Sequence, residues 1–114
     1  MNAPLDRSEA ERQFDHAMWR TFEESVKAGY QPSYFLRSVK QHGGVETARR
    51  LLAKDGLSKG FEALRKVGRL DLSVEAQILR PQFIDLFTEA EGTIARARLA
   101  QYGFAVGLSR RQPV

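Results

Sequence analysis

The 114-residue chain contains no cysteine, and only two histidines, four prolines and one tryptophan. Without cysteine there is no disulfide, no thiolate metal site and no thiol nucleophile, which is compatible with a reducing compartment. His16 and His42 stand apart from each other and from any metal-ligand spacing. Neither belongs to a nucleophile–base–orienter arrangement. No catalytic residue, metal or cofactor is therefore expected. No apolar run approaches the ~20 residues that cross a bilayer. The segment Met1–Gln13 is polar and contains acids, unlike a secretory or transit leader. A soluble, cytoplasmic protein with no membrane partner is expected. No stretch alternates with period two between hairpin turns, so strands are not expected either.

What is present is the patterning of a helical domain. Hydrophobic residues make up 42% and charged residues 28% of the chain, which fits one globular unit of ordinary size. Ser8–Glu11 reads as a capping box, followed by Phe14, Met18, Phe22 and Val26 at i, i+4, i+8 and i+12. Gly29 stops that helix, and Pro32 suits the first turn of the next, which holds Tyr34, Phe35, Leu36 and Val39. Gly43-Gly44 divides it from a third helix, Val45–Lys54. Ser58 caps a fourth whose Phe61, Leu64 and Val67 share a face.

Beyond Leu70 the pattern shortens. Asp71 or Ser73 caps a brief helix with Val74, Ile78 and Leu79, and Pro81 interrupts the chain before Phe83, Leu86 and Phe87. Thr88–Glu91 is a second capping box, opening a helix with Ile94, Ala97 or Arg98, Leu99 and Tyr102 inward. Gly103-Phe104 fits a left-handed cap with a hydrophobic contact behind it. The expectation is an all-α, compact single-domain bundle of about six short helices spanning 9–104. Residues 1–8 are expected as a flexible N-terminus and 105–114 as a flexible basic tail.

Several segments also match a family pattern: Gly29-Tyr30, Tyr34-Phe35-Leu36, His42–Ala48, Gly68–Ala76, Leu86-Phe87-Thr88 and Tyr102-Gly103-Phe104. On these residues the chain resembles, from about Phe14 to Phe104, an uncharacterised bacterial family of small helical proteins. The resemblance implies a helical fold and brings no activity or catalytic residue with it. Relatives place an aromatic residue and then an acid after the leucine equivalent to Leu64. This chain has Arg65-Lys66 there, so the positive charge is its own.

That pair belongs to a wider asymmetry. Residues 31–69 hold nine bases (Arg37, Lys40, Arg49, Arg50, Lys54, Lys59, Arg65, Lys66 and Arg69) against three acids, whereas the flanks together are net acidic. Phosphates reward clustered bases through counterion release and bidentate guanidinium contacts. A solvated helix surface accounts for the same charges. The segment 45–67 also fits a helix-turn-helix, with Lys59, Glu62, Arg65 and Lys66 outward, although an ordinary helical hairpin looks alike. His42-Gly43-Gly44 has the form of a phosphate cradle at a helix start but lacks the rest of a P-loop. Asp71 and Glu75 with Asp85 offer carboxylates for a metal, or caps and ion pairs at a corner. Trp19, Phe22, Tyr30, Tyr34 and Phe35 suit base stacking or a partner, and at helical spacing they fit a core.

These readings converge on a non-enzymatic interaction module whose basic central face, with Arg110-Arg111, contacts nucleic acid or a nucleoprotein through phosphates. The alternative is a protein-binding adaptor or homodimer that uses Trp19 at the edge of the first helix. A metal-dependent hydrolase or nuclease is the remote third.

Overall fold

The computed structural model describes residues 6–30 and 33–104. Pro32, the 105–114 tail with Arg110-Arg111, and positions 1–5 of the expected flexible N-terminus lie outside the described residues. Five helices follow in order: α1 (Arg7–Lys27), α2 (Ser33–Ala53), α3 (Lys59–Lys66), α4 (Val74–Ile78) and α5 (Glu89–Ala100). Single 3-10 turns at Leu70–Leu72 and Ile84–Leu86 flank α4. The fold is all-helical, and no strand occurs among the described residues. No described helix is long and apolar enough to cross a membrane.

The start of α1 differs from the capping box read at Ser8. Asp6, in an extended conformation, accepts the Glu9 amide at 2.8 Å, and Glu11 instead pairs with Arg7 at 3.3 Å. A carboxylate is the stronger acceptor for a helix-start amide, and Asp6 brings the start forward. The buried face of α1 also departs from the i+4 series. It runs Ala10, Phe14, Met18, Thr21 and Ser25, while Val26 is 37% exposed. Each four-residue step overshoots one turn by about 40°, so three such steps carry Val26 out of the face that Phe14 begins.

α2 consists of two helical halves joined at Gly43, whose φ of 85° and ψ of 166° break the helix and suit a residue without Cβ. The second half begins at Gly44, directly against α1. A Cβ on Gly44 would stand 2.7 Å from Asp15 Oδ1, 3.0 Å from Met18 Cγ and 3.2 Å from Phe14 Cδ2. Ser58 caps α3 by accepting the Phe61 amide at 3.0 Å. Ser73, not Asp71, caps α4. Thr88 and Glu91 form the complete capping box of α5. The turns after α1, α3 and α5 close alike, with Tyr30, Arg69 and Phe104 amides donating back to Ser25, Leu64 and Leu99 carbonyls.

One apolar core joins all five helices. Phe14 meets Phe83 and Phe87 edge-on at 5.1 and 5.2 Å, with Leu79, Leu86 and Leu99 also in the core. α4 passes through the middle: all eight residues from Leu72 to Leu79 are buried, polar ones included. Besides Val26 and Tyr34, three more positions expected inside are exposed. Val67 follows the end of α3, and Ile94 and Tyr102 lie off the Gly92–Ala95–Leu99 face that α5 buries. Small residues win that face because α5 packs closely on α4.

Candidate ligand pocket and its basic mouth

The second half of α2 has a charged side chain from another helix at each end. At its start the Gly44 amide donates to Asp15 Oδ1 at 2.7 Å. The cradle read from His42-Gly43-Gly44 thus holds the protein's own carboxylate, in place of a phosphate. At its end Arg98, from α5, donates to the carbonyls of Leu51 (3.3 Å), Leu52 (3.1 Å) and Lys54 (2.6 Å). Both charges complement the helix dipole and satisfy backbone groups that the helix leaves free. The Arg98 side chain is nearly buried, and its Nη1 also lies 3.3 Å from Glu75 Oε2. Burial pushes the Glu75 carboxyl above its usual range, and the hydrogen bond and charge of Arg98 offset only part of that rise.

Leu51, Lys54 and Glu75, which Arg98 holds from behind, line a pocket of about 330 Å³ between α1, α2, α3 and α4. Apolar side chains of Phe35, Leu51, Leu57, Phe61 and Leu64 line its sides. Hydroxyls come from each surrounding helix or its cap: Thr21 and Ser25 on α1, Ser38 and Thr47 on the two halves of α2, Ser58 before α3 and Ser73 before α4. Thr21 donates to the Leu72 carbonyl, Ser73 donates to the Leu70 carbonyl at 2.7 Å, and Ser38 and Thr47 share a hydrogen bond of 2.8 Å across the bend. These bonds satisfy buried polar groups and keep the lining polar. Glu75 completes it.

Of the nine central bases, Arg50, Lys54 and Lys59 line this pocket. Lys59 and Lys66 also border a shallower concavity beside Tyr30 and Gly29. Lys54 Nζ stands 5.1 Å above the ring of Tyr34, which is 63% exposed, and Arg50 pairs with Glu46 at 3.1 Å on the helix surface. The remaining bases serve the fold or lie elsewhere. Arg49 points between α2 and α5, donating to the Leu86 carbonyl at 3.1 Å over the Phe87 ring, and its Nε is 3.3 Å from Glu91 without hydrogen-bond alignment. Arg65 pairs with Glu62 at 2.9 Å and covers Tyr102. That arrangement occupies much of the outward face needed by a helix-turn-helix reading. Arg69 holds Asp71 through two bonds of 3.0 and 3.1 Å, and keeps that carboxyl below its usual range. Arg37 and Lys40 are exposed on the first half of α2 and border neither concavity.

Asp71 and Glu75 therefore serve two different arginines. Among the described residues no group of three His, Asp or Glu side chains could hold a metal. Trp19 is 38% exposed on α1, with its ring edge-on to Phe22 at 6.1 Å. Of the aromatics that their helical spacing suited to the core, Tyr30 and Tyr34 line the pocket instead, and Phe35 both lines it and packs against the core. The pocket hydroxyls and Arg98 escaped the sequence reading as a site, and Glu75, read there as a metal carboxylate or ion-pair partner, proves to be the partner of Arg98. Their one shared signal is polar residues on helix faces that should be apolar. No family model, curated protein or solved structure in the comparisons matches the chain.

Proposed function

We propose that the protein is a non-enzymatic binding module for nucleic acid, which it contacts mainly through phosphates at the pocket mouth. The observation that carries this reading is the grouping of Arg50, Lys54 and Lys59 on one opening, with Lys66 adjoining, while the other five central bases are exposed elsewhere or held in ion pairs. Lysines at such a mouth can meet phosphate without first breaking an internal pair, and Arg50 gives up only an exposed contact with Glu46 that is weak in water. The working surface is thus smaller than the nine-base segment, and contacts of this kind give little sequence preference.

Fluorescence anisotropy with labelled single-stranded DNA and RNA at rising salt tests it. Three phosphate contacts predict a log–log salt slope of about −2. Replacing Lys54 and Lys59 together by Ala should weaken binding and flatten that slope, whereas Arg37→Ala with Lys40→Ala should change neither. Binding that is undetectable at micromolar protein, or that responds to the second pair and not the first, removes the proposal.

A further inference from the structure

We infer that the pocket admits one unstacked nucleobase, leaving its neighbouring phosphate on Lys54 and Lys59 at the mouth. This rests on the phosphate-binding reading above and adds what the bases alone do not give: a reason for the cavity beneath them. The volume of about 330 Å³ is at the small end of ligand sites and suits a single base with part of its sugar. A duplex keeps its bases paired and stacked, so the partner is a single strand or a free nucleotide, which share this chemistry.

Three features of the lining favour a flat ring with polar edges over a hydrocarbon chain. The walls carry aromatic rings, Tyr30, Tyr34, Phe35 and Phe61, that can lie against a base. Hydroxyls of Ser25, Ser38 and Thr47, with the Glu75 carboxyl, offer both donors and acceptors to a ring edge. An aliphatic tail would instead desolvate these groups without replacing their hydrogen bonds. Charge is arranged to match. The buried carboxylate is already engaged by Arg98, whereas the bases at the mouth are exposed where a phosphate would emerge. Tyr34 links the two, because its exposed ring lies directly beneath Lys54 Nζ.

The test compares a short labelled oligothymidylate and oligoadenylate with an abasic strand of the same length and charge, and with duplex. The base-containing single strands should bind about tenfold tighter than the abasic strand, since stacking of one base on an aromatic ring is worth roughly that factor. Tyr34→Ala should remove most of this advantage and leave the affinity for the abasic strand nearly unchanged. Because Tyr34 is largely exposed, the variant should retain the parent melting temperature. Thr47→Val, which keeps the shape and loses the hydroxyl, should reduce the advantage severalfold. Adenosine monophosphate that displaces the strand shows that a free nucleotide suffices. Base-dependent binding that resists it assigns the site to a strand, and either result supports the inference. Equal affinity for abasic and base-containing strands overturns it while leaving the phosphate reading intact. Loss of all strand binding, abasic included, overturns both.

Discussion

The two halves of α1 turn one face toward the interior and meet opposite surroundings. Its first half places Phe14 and Met18, fully buried, among the rings of Phe83 and Phe87 and the small residues of the packed helices. Its second half, on the same face, presents Thr21 and Ser25 to a cavity. Protein interiors are ordinarily close-packed, so an unfilled region lined by hydroxyls is the exceptional half. The contrast separates the region that holds the fold together from the region with room for a ligand. It also explains why Ser73 and Glu75 can be buried polar groups at the start of α4: both line the half of the interior that is not filled with hydrocarbon.

The largest expected effect tests the apolar half. Phe14→Ala removes a ring packed against two others and should cost about 3–5 kcal/mol in urea denaturation. Ser25→Ala, on the same face three turns further on, should stay within about 1 kcal/mol. Equal losses would mean that the two halves are not energetically distinct. An intermediate effect is expected where the halves meet. Gly44→Ala places a methyl within 3.0 Å of Asp15 and Met18, forcing α1 and α2 apart, and should cost about 1–3 kcal/mol. Gly29, where a Cβ would touch nothing, provides the contrast: any loss in Gly29→Ala comes from its φ of 97° and not from packing.

The smallest effect is a pH dependence in the polar half. Burial raises the Glu75 carboxyl above its ordinary value of 4.5, so the folded protein keeps that proton to higher pH than the unfolded chain. Where the folded state binds more protons, stability falls as pH rises. The Glu75 contribution is therefore fully present below the unfolded value and is lost as pH climbs through the raised folded one. Glu75→Gln should remove that decline, read as a flatter midpoint-versus-pH curve just above the ordinary carboxylate range. An unchanged curve would show that the carboxyl is ionised in the fold at no cost.

Features decided within a few residues were legible in the sequence. Ser58, Thr88 with Glu91, the bend at Gly43-Gly44 and the turn at Gly103 each rest on one side chain or one backbone angle close by. The all-helical class followed from the same signals. The clamp on α2 was not legible, because Asp15 reaches an amide 29 residues away and Arg98 reaches carbonyls 44 to 47 residues away. The basic segment was visible, but its partners were not: Arg49, Arg65 and Arg69 look alike in composition and each meets a different acid. The pocket was the least visible feature. It exists where Thr21, Ser25, Ser38 and Thr47 occupy faces that the repeat assigns to apolar residues, and a strict i+4 reading of α1 passes over both of its members.

The Arg98 clamp also bears on the order in which this chain becomes native. The carbonyls ending α2 are made well before the arginine that caps them, and closing that distance is an entropic loss that local helix formation does not repay. Until α5 docks, the end of α2 that carries Lys54 has no partner for its last turn, and Glu75 has no guanidinium beside it. The mouth of the pocket is therefore among the last parts of the molecule to set, although most of its residues belong to the first two-thirds of the chain. A folding intermediate lacking α5 would have the aromatic centre only in part and no finished site. Completion of the pocket mouth and completion of the fold are then tied together by one side chain.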